Sequence, residues 1–376
     1  MASDALGQLY QEEPIMKGKQ ILGLCVMSML AASMILPWGA GRGEAGETEP
    51  GYKVLAPISQ GNLTIFPVVA DRSHDTRSFL TLDEGLRSGE VVVSEVGSFQ
   101  PLIRGPRRVI PERGAEVNRL VLVNNSEHPL ILLAGEIVTG GKQDRVVGKD
   151  RIVPPKSDPI DLAVFCVEPG RWVATKSDFG SFLSQMAQPS VRRSAMADKD
   201  QQKVWAEVHA SAGAMAAPAA PATQRALAST SSYAGVMGNA EVKQRVDAVA
   251  APLEQSYQGL IRALRDRNAV GVVVAINDQI IWADLFASTG LLEKYWPKLI
   301  RSYAAEALTR PAAPGRPDVK AAQAFLQDFG ARRETVESEP GVYRRTEHMG
   351  EGFTAFELTA LLPGTGFDLH IAKMVE

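Results

Sequence analysis

Cysteine is almost missing from this 376-residue chain, which contains only Cys25 and Cys166. Cys25 lies inside an apolar run near the N-terminus, so Cys166 is the one cysteine left for the rest of the chain. A lone cysteine excludes an intramolecular disulfide, and the fold must therefore be stabilised by its hydrophobic core. The segment Val164-Phe165-Cys166-Val167 is an apolar strand pattern, which favours a buried structural cysteine over a nucleophile.

Metal-binding spacing and an excess of basic charge are also missing. The five histidines are scattered along the chain, and no H-E-x-x-H segment or paired Cys/His set occurs. We therefore predict no metal site and no cofactor. The net charge of −3 gives no basic excess, which argues against a nucleic-acid partner. The histidines are His74, His128, His209, His348 and His370.

A long apolar run is present at the N-terminus, where Ile21 to Trp38 carries no charge and follows Lys17 and Lys19. A basic segment before an apolar one is typical of an export signal, and translation from Met16 would place it at the start of the protein. We predict that residues 1–43 are a signal peptide or, since the run is near the lower limit for a bilayer span, a retained membrane anchor. The two lysines predict that the remaining chain is exported: periplasmic, secreted or anchored at the outer face of the membrane.

The rest of the chain has the composition of a globular protein, with 45% hydrophobic and 22% charged residues. Residues 44–51 are a polar tether, and we predict one domain over 52–374. It divides into a β-rich part at 52–172, a helical part with an Ala/Pro-rich loop at 173–268 and an α/β remainder at 269–374. The predicted fold class is α+β, with an antiparallel β-sandwich or barrel-like N-terminal half, a helical middle and a strand-rich C-terminus.

Local patterns predict individual elements. A proline within Leu63 to Val69 indicates an edge or bent strand. Ala210 to Tyr233 is rich in Ala, Ser, Thr and Pro, which favours a mobile loop or linker. Two apolar runs within Val270 to Phe286 flank Asn277-Asp278 and predict a hairpin. Leu291 to Leu308 has the apolar spacing of a helix.

The densest pattern is the stretch from Asn118 to Trp172, in which short apolar runs alternate with turn residues. Its turn Gly140-Gly141-Lys142-Gln143-Asp144-Arg145 lets the backbone approach a ligand, and its two cations can pair with a phosphate or carboxylate. It is not a P-loop, because strands flank it. We predict that Lys142, Gln143 and Arg145 bind a ligand; the alternative is a hairpin turn with solvated charges.

A second turn, Glu168-Pro169-Gly170-Arg171-Trp172, ends the stretch. Arg171 and Trp172 are predicted to close a pocket, with the indole as a stacking platform. The alternative is that the charges of Glu168 and Arg171 only pair with each other or cap backbone groups. Glu136 and Glu168 are the candidate catalytic carboxylates, because a general base must lie beside the ligand that the turns would hold.

Several segments of this stretch carry a family resemblance: Ala134-Gly135-Glu136, the turn at 140–145, Val153-Pro154-Pro155 and the segment from Phe165 to Trp172. They resemble a bacterial family, the ARG and rhodanese-phosphatase-superfamily-associated protein domain. The resemblance extends over residues 52–374. It implies no defined activity, and the family's name implies at most a link to ADP-ribose or phosphoester metabolism.

Three functions remain open. The first is an exported cell-envelope protein that binds a protein partner or a small anionic ligand at the 136–172 surface, because a dense Gly/charge pattern occurs there without catalytic spacing. The second is a hydrolase on a phosphoester or ADP-ribose-related substrate, with Glu136 or Glu168 as general base. The third is a structural oligomerising domain. Contact with a membrane is expected only through the N-terminal segment, if it is not cleaved.

Overall fold

Strands and helices follow one another in blocks along the chain. The computed structural model describes residues 51–95, 119–169, 179–180, 185–264, 267–328 and 330–376. Within these residues the fold is α+β, with antiparallel sheets, a helical middle and a strand-rich C-terminus, which confirms the predicted class. All of them belong to one compact unit.

The strands are β1 (Tyr52–Val54), β2 (Ile58–Gln60), β3 (Leu63–Ala70), β4 (Leu80–Thr81), β5 (Val91–Glu95), β6 (Arg119–Asn124), β7 (Leu130–Leu132), β8 (Ile137–Gly140), β9 (Arg145–Val147), β10 (Arg151–Val153), β11 (Ile160–Cys166), β12 (Phe179–Gly180), β13 (Ala269–Ile276), β14 (Gln279–Phe286), β15 (Arg333–Glu339), β16 (Tyr343–Met349), β17 (Phe353–Ala360) and β18 (Asp368–Val375). The helices are α1 (Leu82–Ser88), α2 (Pro189–Arg193), α3 (Gln201–Ala216), α4 (Pro221–Ala228), α5 (Tyr233–Gly238), α6 (Ala240–Ala263), α7 (Thr289–Leu308) and α8 (Val319–Gln327), with a π-helix at Ser194–Asp198 between α2 and α3.

The largest sheet joins the start of the domain to its C-terminal part. Its strand order is β1-β3-β13-β14-β18-β17-β16-β15, with β2 also paired to β3. Helices α6 and α7 cover one face of this sheet, and α8 covers the other. Strand β3 is therefore buried along its whole length: Leu63, Ile65 and Val69 pack on the α6–α7 side, and Phe66 and Val68 pack on the α8 side.

The proline of β3 does not mark a sheet edge, so the prediction of an edge strand is wrong. Strand β3 lies between β13 on one side and the short strands β1 and β2 on the other. Strand β2 pairs as far as Ile65 and β1 starts at Val68, so Pro67 falls in the gap between them. Its carbonyl accepts a hydrogen bond from the Leu55 N–H at 2.8 Å on this side. The proline nitrogen faces the same gap, where the sheet needs no donor.

Two smaller sheets form the N-terminal half. One has the order β12-β8-β9-β11-β6-β5 and the other the order β10-β7-β4, in which β4 runs parallel to β7. The two sheets share an apolar core that includes Leu122, Leu132, Val153 and Val164. Cys166 ends β11 and is fully buried, as its apolar surroundings predict.

The segment 210–233 is largely helical, and the predicted linker is wrong. Helix α3 continues to Ala216, and α4 occupies Pro221–Ala228. Alanine has the highest intrinsic helix propensity, and the proline of α4 stands at the first helical position, where its missing N–H costs nothing. Met215 and Leu227 anchor these helices in the main core. The small residues of this segment therefore allow close helix packing.

Helix α7 is the central element of the main core. The predicted helix is confirmed and begins at Thr289, two residues before the predicted start at Leu291; the β13–β14 hairpin, which turns at Asn277, is also confirmed. The buried residues of α7 include Tyr303 but also two charged side chains, Lys298 and Glu306. Among the described residues, none of the helices combines the length and the apolar character of a membrane span.

Candidate functional site

The Gly-Gly-Lys-Gln-Asp-Arg turn and Glu168 meet at one place. Strands β8 and β9 flank the turn, and Glu168 follows β11, which pairs with β9. Gln143 Nε2 donates to the Glu168 carbonyl at 3.1 Å, and the Asp144 N–H donates to Glu168 Oε2 at 3.1 Å. The second turn therefore begins against the first, and the Glu168 carboxylate fixes the backbone of the first.

The Arg145 side chain and the Lys142 backbone both face Glu95 at the end of β5. Arg145 Nη2 lies 4.0 Å from Glu95 Oε1, which also accepts the Lys142 N–H at 2.9 Å. Arg145 is fully buried and Gln143 nearly so, whereas Lys142 is half-buried. Ligand contact by these three residues stays a prediction. Arg171 and Trp172 lie outside the described residues.

Glu136 belongs to a different cluster, against helix α7. Its Oε1 accepts from Lys298 Nζ at 2.5 Å, and its Oε2 accepts from the Leu133 N–H at 2.8 Å. Lys298 also donates to Asp83 of α1 at 2.8 Å. Burial would lower the pKa of Lys298, but the two carboxylates beside it raise that pKa above its usual value. Glu136 and Glu168, the two predicted catalytic candidates, thus make their contacts in separate clusters.

A second buried cluster, centred on Asp284 of β14, joins side chains from four secondary-structure elements and one loop. Arg192 donates from both terminal nitrogens to the Asp284 carboxylate, at 2.9 and 3.0 Å, and Tyr303 donates to the same carboxylate. His370 lies between two acids: its Nε2 is 3.0 Å from Asp284 Oδ1, and its Nδ1 is 2.6 Å from Asp150 Oδ2. These side chains are fully buried, so their contacts stabilise the fold.

Charge balance keeps this cluster ionised. Burial alone would lower the pKa of His370, but Asp150 and Asp284 raise it to about 9. Burial alone would raise the pKa of Asp284, but Arg192 and His370 hold it well below its usual range. Two cations and two carboxylates therefore neutralise one another, which a buried set needs because an unpaired buried charge is costly.

An open cleft of about 980 Å³ lies nearby. One wall is formed by α2, the π-helix and α3, and the other by the beginning of β14, the end of β18 and the end of α7. Ile281 and Trp282 contribute apolar surface. The cleft-lining residues with charged or amide side chains are Gln188, Arg193, Asp198, Lys203, Glu207, Gln279, Glu306, Arg310 and Glu376.

Glu306 is the fixed charge of the cleft. It is 2% exposed, and its Oε2 accepts from Gln188 Nε2 at 3.0 Å and from the Ser190 N–H at 3.1 Å. Its Oε1 accepts from Arg310 at 3.0 Å. Gln188 is held in turn by its backbone N–H, which donates to the Tyr233 hydroxyl at 3.0 Å. The side-chain oxygen of Gln188 is buried and makes no hydrogen bond to the described residues.

Two charges on the helical wall of the cleft stay outside these pairs, in addition to the exposed Glu376 at its edge. Lys203 binds Asp198 at 2.7 Å, as Arg310 binds Glu306. Arg193 and Glu207 form no ion pair within 4.0 Å among the residues that the structure describes.

Glu207 is the group in the cleft with a shifted pKa. Burial raises the pKa of Glu207, and the negative charge of Glu306 raises it further; Ser190 and Arg193 oppose this shift. A carboxyl group with a raised pKa beside a second carboxylate can exchange a proton or receive a cation. In the described parts of the chain, no three His, Cys, Asp or Glu side chains are grouped as metal ligands.

Comparison with known families matches residues 51–372 to the ARG and Rhodanese-Phosphatase-superfamily-associated Protein domain. The chain belongs to this family. The match confirms the resemblance found in the sequence. The matched residues include the two buried clusters and the whole cleft except its edge at Met374–Glu376. No curated protein and no solved structure matches the chain.

Sequence reasoning missed the cleft of this family domain because its residues are far apart in the chain. Gln188, Glu207 and Glu306 come from three helical regions, and no local spacing connects them. One usable signal was present. Glu306 follows Tyr303 by three residues, on the apolar side of α7, and a carboxylate on a buried helix face requires a partner.

Proposed function

We propose that this protein is a binding protein and that a small charged ligand occupies the cleft. The observation that best supports the proposal is an open cavity of about 980 Å³ with charged groups held in fixed positions. Ligand sites have volumes of roughly 300–1,000 Å³ and combine apolar walls with a few oriented polar groups. Trp282 supplies the apolar part here, and Glu306 with Gln188 supplies the oriented polar part.

The test compares tryptophan substitutions at two adjacent residues of α3. Ala210 lines the cleft, so Ala210→Trp would fill it; His209 is exposed and does not line it. The Tm would be measured with a library of small amines, carboxylates, phosphates and amino acids. We expect compounds that raise the Tm of the wild type and of His209→Trp but not of Ala210→Trp, because only a bound ligand stabilises the folded state. Equal responses of the two variants, or no response to any compound, would contradict the proposal.

We also propose that the domain acts outside the cytoplasm. The support is the sequence of the N-terminal segment, with Lys17 and Lys19 before the apolar run Ile21 to Trp38. Fusion of the full chain to alkaline phosphatase, which is active only after export, tests this. We expect activity in the fusion and its loss when residues 16–43 are deleted; equal activity of both fusions would contradict export.

The 136–172 surface remains a second proposed binding region, for a protein partner or a small anion. Lys142 is the more accessible of the two cations in the turn at 140–145, so Lys142→Ala removes charge without disturbing the buried Arg145. A ligand held there should lose affinity in Lys142→Ala and keep it in Ala210→Trp. The opposite pattern assigns that ligand to the cleft.

A hydrolase is the second candidate function, and the pair of Glu207 and Glu306 favours it. Burial and the charge of Glu306 raise the pKa of Glu207, and a carboxyl group with a raised pKa can act as a general acid beside a second carboxylate. Purified domain would be assayed with p-nitrophenyl phosphate and ADP-ribose, and turnover in the wild type that falls at least about 100-fold in Glu207→Gln would support this function. Turnover that survives in Glu207→Gln would exclude this pair as the catalytic groups.

A further inference from the structure

We propose that the ligand of the cleft is zwitterionic, with a protonated amine that binds Glu207 and an anionic group that binds Arg193. This inference rests on the proposed binding function and adds the charge class of the ligand. It depends on which charged and polar groups of the cleft already have partners and which do not.

On the helical wall of the cleft, one charge of each sign forms no ion pair with the described residues. Lys203 is bound to Asp198 and Arg310 to Glu306, which leaves Arg193 on α2 and Glu207 on α3. Both are half-buried, whereas Glu376 lies exposed at the edge of the cleft. A half-buried charge is partly shielded from water and gains more from an ion pair than an exposed one does.

A ligand of one sign would be attracted by one of these groups and repelled by the other. An anion at Arg193 would lie close to Glu207, whose charge already interacts with both Arg193 and Glu306. A cation at Glu207 would lie close to Arg193. A molecule that carries both signs avoids both penalties, and it can contact both side chains because both line the same cleft and form no ion pair with each other within 4.0 Å.

The uncharged polar groups of the cleft also favour a ligand that carries both hydrogen-bond donors and acceptors. Among the described residues, the side-chain oxygen of Gln188 is a buried acceptor without a hydrogen-bond partner, and the indole N–H of Trp282 is a buried donor without one; both residues line the cleft. An unsatisfied buried polar group is unfavourable, so a small movement that lets a ligand reach it is favourable. An ammonium group offers three donors and a carboxylate offers acceptors, so a zwitterion supplies both kinds of partner.

The test uses probes that share a carbon chain and differ only in charge. Binding of 6-aminohexanoate, hexylamine and hexanoate to the purified domain would be measured by calorimetry. The amino acids from glycine to 8-aminooctanoate would be tested in the same way, since the chain length must match the distance between the two charges. We expect at least one of these amino acids to bind about tenfold more tightly than the amine and the acid of the same length, because one additional ion pair contributes about 1.4 kcal/mol.

Two variants assign each end of the ligand. Arg193→Gln should remove the advantage of the amino acid over the amine, and Glu207→Gln should remove its advantage over the acid. Lys320→Gln removes an exposed cation of α8 that does not line the cleft, and it should change neither ratio. The Tm of each variant would verify its folding.

The outcomes separate this inference from the binding function. If amines or acids alone bind as tightly as the amino acids, the ligand is not zwitterionic, although the cleft still binds ligands. If no probe binds at any length, the inference is also overturned, and the comparison of Ala210→Trp with His209→Trp decides the binding function independently.

Discussion

At the scale of the residue, Gly135 shows how closely the backbone approaches the buried cluster around Asp284. Its φ is 97°, in the left-handed region that favours glycine. A Cβ at this position would lie 2.5 Å from Arg192 Cγ. Arg192 cannot move away, because both terminal nitrogens bind Asp284 and the guanidinium lies 4.5 Å from the centre of the Trp282 ring.

Gly135→Ala is therefore expected to lower the free energy of unfolding by about 2–5 kcal/mol, the sum of backbone strain and overpacking. Gly89→Ala is the matched control. Gly89 has a φ of 74° and caps α1, and its added Cβ would meet no atom within 4 Å, so it should lose only about 1 kcal/mol. Urea denaturation of the three proteins measures both losses. Equal losses would show that Arg192 can give way.

The turn at 140–145 and Glu207 show what the sequence can and cannot predict of a site. The pattern Gly-Gly-Lys-Gln-Asp-Arg identified residues that do meet Glu168, because turn chemistry is local. It gave no information on burial, and Arg145 proved to be fully buried. Glu207 was not recognised, because its raised pKa comes from burial and from Glu306, which is 99 positions away and near it only in the folded protein.

At the scale of the element, two lysines one turn apart on α7 bind acidic residues of the short helix α1. Lys298 is buried and binds Asp83 as well as Glu136, whereas Lys294 is one-third exposed and binds Glu84 at 3.0 Å. The two pairs have similar geometry and differ in solvent access. They form a matched comparison of buried and exposed ion pairs within one helix contact.

Lys298→Met should lower the free energy of unfolding by about 3–5 kcal/mol, because it leaves the buried Glu136 carboxylate and the largely buried Asp83 carboxylate without a cation. Lys294→Met should change it by at most about 1 kcal/mol, since water can solvate Glu84. Urea denaturation at neutral pH measures both. A double variant, Lys298→Met with Glu136→Gln, should recover part of the loss, and no recovery would show that the ion pair is not the cause.

Elements with a strong local pattern were predictable, and elements decided by their surroundings were not. The apolar spacing of α7 and the Asn-Asp turn of the β13–β14 hairpin both led to correct predictions. The Ala/Pro-rich segment was read as a linker, because its composition is shared by flexible chains and by closely packed helices. Pro67 suggested an edge strand, and only the break between β1 and β2 shows how a proline fits inside the sheet.

At the scale of the whole molecule, His370 joins the large sheet to the N-terminal half. It stands on β18, and its two partners are Asp284 of β14 and Asp150, which lies between β9 and β10 and also accepts the Ala134 N–H at 2.7 Å. Arg192 and Tyr303 face the same cluster from α2 and α7. Protonation of this one histidine therefore affects contacts among all of these elements.

The pH dependence of stability follows from the pKa of His370, which rises from 6.5 to about 9 on folding. Its contribution is fully present below pH 6.5 and is lost as the pH rises through 9, because the unfolded chain releases the proton first. The free energy of unfolding should fall by about 2 kcal/mol between pH 6.5 and pH 8. Lys373 opposes this change only above pH 8, since its own pKa is lowered to about 8.

Urea denaturation at pH 6 and pH 8 tests this dependence, and two variants identify its source. His370→Gln should be less stable than the wild type at pH 6 and should lose most of the pH dependence, because no imidazole remains between Asp150 and Asp284. His348→Gln is the matched control: the pKa of His348 is also raised, first by Glu357, but this histidine is only partly buried and its share should be smaller. If His370→Gln keeps the full pH dependence, the buried cluster does not hold the proton. The pH dependence of the free energy of unfolding then has another origin.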